Sequence, residues 1–189
     1  SYFSNGDFES GVTGWGVWDT SNQLTSETGT YHGGAKCAKV VCGGTGTKLY
    51  QTLSCSSLTA LKNQPVMITL WYKSTVANSA ANIEAQWSLN DASGNNLEWG
   101  TGVITNNGSA GSWTKATFYR RYAPTTAAST LTINLQINNA TAGDIVYFDD
   151  ISFTYNTEPD KRMHNGGFEL GNASNWTVYN PDSQALTWG

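Results

Sequence analysis

Charge is what this sequence has least of. Only 13% of its residues are Asp, Glu, Lys or Arg, against about 25% in an average globular domain. Lys and Arg number 10 against 14 acidic residues, a formal net charge of −4, so the basic footprint that nucleic-acid binding requires is missing. Histidine occurs only at positions 32 and 164, and no CxxC pair exists, which leaves a zinc site without ligands. No apolar run approaches the roughly 20 residues of a helical membrane span. The three cysteines, Cys37, Cys42 and Cys55, leave an odd thiol. Cys37 and Cys42 stand five apart in one predicted strand and face opposite ways, a poor geometry for a bridge. A pairing of either with Cys55 stays open. A convincing helical pattern is absent as well.

Aromatic and small polar residues fill the space that charge leaves. Eight Trp and nine Tyr stand among Thr, Ser, Asn and Gly. Rings with uncharged polar neighbours suit either a β-sandwich core or a surface that meets a neutral polar ligand, and sugars are the obvious class. A repeat organises the chain. Asn5-Gly6-Asp7-Phe8-Glu9, Gly11, Trp15 and Trp18 return as Asn165-Gly166-Gly167-Phe168-Glu169, Gly171, Trp176 and Tyr179, with one residue inserted before the tryptophan. A long strand-rich stretch follows the first copy, whereas the second is soon followed by Gly189. The expected organisation is one complete module at 1–156, a linker at 157–164, and the truncated start of a second, similar module at 165–189.

Short runs of alternating apolar and polar residues, punctuated by Gly, Asn, Ser and Pro, predict an all-β sandwich, a jelly roll of two antiparallel sheets. Ala35 to Cys42 and Thr47 to Leu53 read as a hairpin across Gly43-Gly44-Thr45-Gly46. Further strands are expected at 66–73, 82–89, 97–104, 113–122, 130–138 and 145–155. The period of two sorts faces. Ile83, Ala85, Trp87 and Leu89 point to the core, with Glu84, Gln86 and Ser88 outward. Leu131, Ile133, Leu135 and Ile137 do the same against Thr132, Asn134 and Gln136. In 66–73, Trp71 falls on the face away from Ile68 and Leu70. If these strands share a sheet, they offer a hydrogen-bonding platform with Trp71 in it. Its amides donate and accept at once, as sugar hydroxyls require.

The opening NGDFESGVTGW, the later YHGGAKCAKV and the closing VYFDDISF resemble carbohydrate-binding modules of the family 4, 9, 16 and 22 type, over Asn5 to Tyr155. The resemblance implies a non-catalytic jelly roll that binds polysaccharide and carries structural calcium. The ion would be held by the side chains of Glu9 and Asp150, with Asp7 as an extra ligand and backbone carbonyls from His32 to Ala35; the mixture suits a cation wanting about six to eight hard oxygens. Without an ion, Glu9 would cap a turn and Asp150 would pair with a neighbouring amide. The same resemblance assigns stacking on sugar to Trp18, a ligand contact to Gln86 and a second polar contact near Trp99. It leaves Trp15 in the core. Gln136 stands where some relatives carry a second stacking Trp, so Trp71 or Trp99 would supply that ring. Glu84, Gln86, Asn134 and Gln136 would then read hydroxyls.

Xylan is favoured as the ligand, then β-glucan or glucomannan. The setting implied is a secreted or cell-surface glycoside hydrolase, with a monomeric module covalently joined to others and neither nucleic acid nor membrane as partner. Two rivals remain. A jelly-roll glycosidase or lyase would need paired carboxylates, for which Glu84 and Glu98 are the only plausible pair. A structural or adhesive domain would keep the sandwich and pack Trp18 and Trp71.

Overall fold

The computed structural model describes residues 1–18, 21, 23–75, 83–104, 111–138 and 140–155, with backbone alone at 102–104. The chain divides into a unit at Ser1–Tyr155 and another at Asn156–Gly189. The second unit, with the expected linker and repeat copy, lies outside the described residues.

Ten strands form in chain order: β1 (Gly16–Val17), β2 (Gln23–Glu27), β3 (Cys37–Val41), β4 (Thr47–Ser54), β5 (Gln64–Ser74), β6 (Ile83–Asn90), β7 (Asn96–Ile104), β8 (Thr114–Tyr122), β9 (Thr130–Ile137) and β10 (Ile145–Tyr155). A 3₁₀ turn at Cys55–Leu61 follows β4 and buries Leu58 and Leu61. Two antiparallel five-stranded sheets result, ordered β1-β4-β9-β6-β7 and β2-β3-β10-β5-β8. This is the jelly-roll sandwich read from the alternation. Trp87 sits between the layers, edge-on to Tyr122 at 5.7 Å and to Phe153 at 6.0 Å, and Trp15 is buried as expected.

Two expectations fail. β3 and β4 do not form a hairpin, because they belong to different sheets. Ala38 and Val40 approach the core from one layer, Leu49 and Leu53 from the other. The glycine-rich segment between them crosses the rim of the sandwich, with Gly46 N donating to Ile137 O at 3.0 Å. The presumed route from Cys55 to its partners goes with the hairpin, and all three cysteines are free thiols. Cys42 joins the core, while Cys37 donates to Thr30 O at 2.9 Å. Burial pushes their pKa values up to about 11 and about 12.

Trp71 is the second correction. Its strand β5 lies in the sheet opposite β6 and β9, so Trp71 cannot share their platform. Alternation fixes which way a side chain faces; it is silent about which layer the strand joins.

At the edge where β7 faces β8, a side chain links the two sheets. Arg120 of β8 pairs with Glu98 of β7, and its guanidinium carbon lies 5.3 Å from the centroid of the Trp87 ring. It passes beneath Gly100, where an added Cβ would lie 2.3 Å from Nη1. Gly100→Ala must therefore shift the guanidinium, weakening a cation–π contact and a charge-assisted bond. We expect a loss of about 1–3 kcal/mol. Arg120→Met should lose a similar amount, and the double variant little more than either alone. Additive losses in urea unfolding would refute the shared origin.

Candidate functional site

The outer face of the β1-β4-β9-β6-β7 sheet is built from rows of paired residues. One row runs Tyr50, Asn134, Gln86, Thr101; the next runs Thr52, Thr132, Ser88, Trp99. A merely solvated sheet face would leave such polar side chains in water. Here Gln86, Asn134 and Thr132 are only 5%, 6% and 8% exposed, so they form the floor of a trough. Its rings are the reverse: Trp18 and Trp99 are 53% and 59% exposed.

Trp18 follows directly on β1, its backbone N–H donating to Lys48 O at 3.1 Å. Its indole reaches across β4, donating from Nε1 to Asn134 Oδ1 at 2.7 Å. Tyr50 props the ring from below, centroids 5.2 Å apart. Trp99 rises from β7, two strands beyond β9, a lateral step of about 10 Å. Between these rings the β6 strand offers Gln86, whose Oε1 is buried and has no hydrogen-bond partner among the described residues. Buried acceptors are almost always satisfied, so this oxygen is an exception within the floor.

Glu84, Gln86, Trp99, Asn134 and Gln136 thus share one face with Trp18, and Trp71 does not. The reading of residues overlooked Tyr50, and it placed Ser88, Thr132 and Asn138 on the outward face without naming them as site residues. For Tyr50 the signal was there: β4 alternates like β6, with Leu49, Gln51 and Leu53 inward. Gln51 is itself a buried anchor, accepting from Ser4 N at 2.9 Å and donating to Ser4 O at 3.1 Å. The paired-carboxylate reading loses its geometry. Glu84 lies on the trough face, whereas Glu98 opposes core-facing Leu89 and is engaged by Arg120.

Residues 1–142 match the model of the carbohydrate binding domain family. The chain belongs to that family. A search among curated proteins finds no match. Three solved structures carry the same fold. The CBM22-2 xylan-binding domain of Paenibacillus barcinonensis Xyn10C is 18% identical with a TM-score of 0.62, covering 79% of this chain and 97% of that one. The C-terminal family 22 module of Clostridium thermocellum Xyn10B is 13% identical with a TM-score of 0.62, covering 84% and 96%. The CBM22-1-GH10 modules of the same xylanase, complexed with xylohexaose, are 18% identical with a TM-score of 0.59, covering 78% and 27%.

This carbohydrate-binding module has a second polar locus where its ends meet, partly in β10, beyond the matched residues. A bulge between Asp149 and Ser152 adds one residue to β10 opposite β5, with Asp150 at φ 48°. The extra residue keeps both Phe148 and Ile151 in the core and turns two successive aspartates outward. Asp149 is fully buried and accepts the backbone N–H groups of His32 (2.8 Å), Gly33 (3.1 Å) and Asp150 (2.8 Å). Burial pushes its pKa up, against those three bonds. The sequence reading chose Asp150 and passed over Asp149, because a bulge is invisible in a period of two.

Asp150 Oδ2 meets His32 Nδ1 at 2.6 Å, and the His32 ring stacks on Trp71 at 3.9 Å. Glu9 Oε1 accepts from Ala35 N at 2.8 Å and Lys36 N at 3.0 Å; these bonds hold its carboxyl below the usual range. The stabilisation they give is therefore present above the ordinary carboxylate pKa and is lost on acidification. An added Cβ would meet Asp150 Oδ2 at 2.9 Å from Gly33 and Glu9 Oε1 at 2.2 Å from Gly34. Two carboxylates, one from each end of the module, thus press on adjacent glycines of one turn. Among the described residues no three His, Cys, Asp or Glu side chains gather as a metal set. The hard-oxygen chemistry fits calcium provided that backbone carbonyls complete it. Asp7 lines the same depression as Asp150, beside Asn5 and Ser152.

Proposed function

We propose that this module binds a β-linked plant polysaccharide, xylan before β-glucan or glucomannan, in the trough between Trp18 and Trp99. The observation that carries the reading is a pair of exposed indoles, Trp18 and Trp99, on one sheet face with the nearly buried amides of Gln86 and Asn134 between them. Pyranose C–H faces stack on the rings, each contact contributing about 1 kcal/mol beyond burial. Sugar hydroxyls exchange bonds with the polar side chains of the trough, Gln86, Asn134, Gln136 and Glu84. No group in the trough is asked to transfer a proton or attack a bond, so the action is recognition. The xylan-binding relative and the xylohexaose complex support the choice of ligand. The CBM22-1-GH10 modules support a place beside a glycoside hydrolase, and we propose a secreted, monomeric module joined covalently to other domains.

Calorimetric titration with xylan, β-glucan, glucomannan and chitin fragments tests this. We expect binding to a β-linked plant chain with Kd in the roughly micromolar to millimolar range. No heat from any of them, with calcium present, would leave the structural-domain reading ahead.

We further propose that calcium is held by Glu9 and Asp150 with Asp7 nearby and carbonyls of the His32 to Ala35 turn. When bound, the ion would tie both ends of the module to that turn. Melting in excess calcium is expected to occur several degrees above melting in chelator, by mass action on the folded state, with magnesium a poor substitute. Identical melting curves would count against the site.

A further inference from the structure

The Trp18 ring is more than half exposed, and an exposed side chain ordinarily samples several rotamers. Two side chains from different strands deny it that freedom. Asn134 of β9 is nearly buried, and its Oδ1 accepts the indole N–H at 2.7 Å, which sets the edge of the ring that points into the sheet. Tyr50 of β4 lies against the ring, with centroids 5.2 Å apart and planes inclined by 37°. Tyr50 and Asn134 are direct partners across the β4–β9 ladder, so the indole is held at two points on one row. β1 supplies a third part. Gly16 stands opposite Tyr50, and a Cβ there would lie 2.7 Å from Tyr50 Cζ and 2.8 Å from its hydroxyl oxygen. The Tyr50 ring therefore reaches over the backbone of β1 through space that a glycine leaves open.

We propose that Tyr50 and Asn134 are positioning residues that set the Trp18 indole in its stacking orientation before a glycan arrives, with Gly16 as the opening that admits Tyr50 beneath it. This rests on the trough being the glycan site and says how one of its stacking rings is kept ready. Ordering a mobile side chain at an interface opposes binding, and holding it beforehand removes that cost. The fixture acts through Trp18, so what its parts add to affinity depends on the indole. Asn134 Oδ1 is engaged by the indole N–H, whereas Nδ2 takes no part in that bond and remains for the hydroxyl contact proposed above. Removing the Asn134 amide must then cost more with the indole in place than without it.

The test is a double-mutant cycle by calorimetry on the 189-residue chain, using whichever of xylohexaose, cellohexaose and mannohexaose binds. Asn134→Ala, checked for an unchanged melting transition, is expected to weaken binding about tenfold in the natural chain and no more than about threefold in the Trp18→Phe background. Gly16→Ala should weaken binding at least about threefold, since its methyl group pushes Tyr50 from beneath the indole. Equal losses from Asn134→Ala in the two backgrounds would overturn its positioning role and leave glycan binding standing. A Gly16→Ala chain that binds as tightly as the natural one would overturn the part given to Tyr50. Should Asn134→Ala fail to fold, NMR of the free natural chain decides. The Trp18 indole proton, assigned by its loss in Trp18→Phe, should exchange with water at least about tenfold more slowly than an indole free in solution. Exchange as fast as free indole would overturn the fixture. Failure of all three hexaoses and their polymers to bind would overturn the trough reading itself, and this inference with it.

Discussion

Gly6→Ala is expected to cost 3 kcal/mol or more and to lower the melting temperature by about 10 °C. A Cβ at Gly6 would lie 1.9 Å from Ile151 O and 3.0 Å from Ile151 C. Both are backbone atoms of β10, so no side-chain rotation relieves the clash. The two segments are also bonded, Ile151 N donating to Gly6 O at 2.8 Å. To admit the methyl, the opening loop must lift from β10 and draw with it the buried rings of Phe3, Phe8 and Trp15, which pack on one another at 5.2 and 5.5 Å. Gly11→Ala is the control. Its Cβ meets only Ser26 Cβ at 3.9 Å, although its φ is +70°, so strain of about 1 kcal/mol is expected there. A Gly6→Ala variant as stable as Gly11→Ala, by differential scanning calorimetry, would show that the loop does not lie against β10 in this way.

Trp18→Ala should leave the melting temperature nearly unchanged and reduce glycan affinity at least about tenfold, since exposed aromatic anchors dominate such surfaces. The ring is more than half exposed, so the fold gains little from it. Trp18→Phe should fall between the two. It keeps a face for stacking and loses the donor that holds Asn134 Oδ1. Trp71→Ala should leave glycan affinity intact, because its strand belongs to the other sheet and its ring faces His32. Calorimetric titration of the three variants against the best glycan decides. Full binding by Trp18→Ala, or lost binding by folded Trp71→Ala, would move the site to the opposite sheet.

The contrast between these tryptophans measures how far the sequence could be read. Alternation in β6 and β9 sorted the faces because one face of each strand is packed and the other is not, and a period of two registers that difference directly. The layer a strand joins depends on contacts between segments distant in sequence. For that reason Trp71 and the β3–β4 connection were misread while Glu84, Gln86, Asn134 and Gln136 were grouped together. Trp18 and Trp15 came from the family pattern rather than from any periodicity. Tyr50 was within reach of the same alternation. Asn138, at the end of the expected 130–138 strand, fell on the outward face by that alternation too, but its bonds to Gln136 and Glu84 form only when β6 lies alongside. Asp149 was hidden by the bulge. The glycines at positions 6 and 166 were visible as a repeated letter, and the 1.9 Å approach gives the physical reason at the first of them.

The first residues of the module lie against its last strand. Tyr2 N donates to Phe153 O at 2.7 Å, Ser1 Oγ accepts from Phe153 N at 3.2 Å, and Tyr2 meets Phe153 and Tyr155 edge-on. A tension applied between Ser1 and Tyr155 would therefore travel a short path, through these few bonds in the layer opposite the trough. The strands carrying Trp18, Gln86 and Trp99 would bear no load until that clasp opened. Pulled from its two ends, the module would begin to yield at its back and keep hold of its ligand in front.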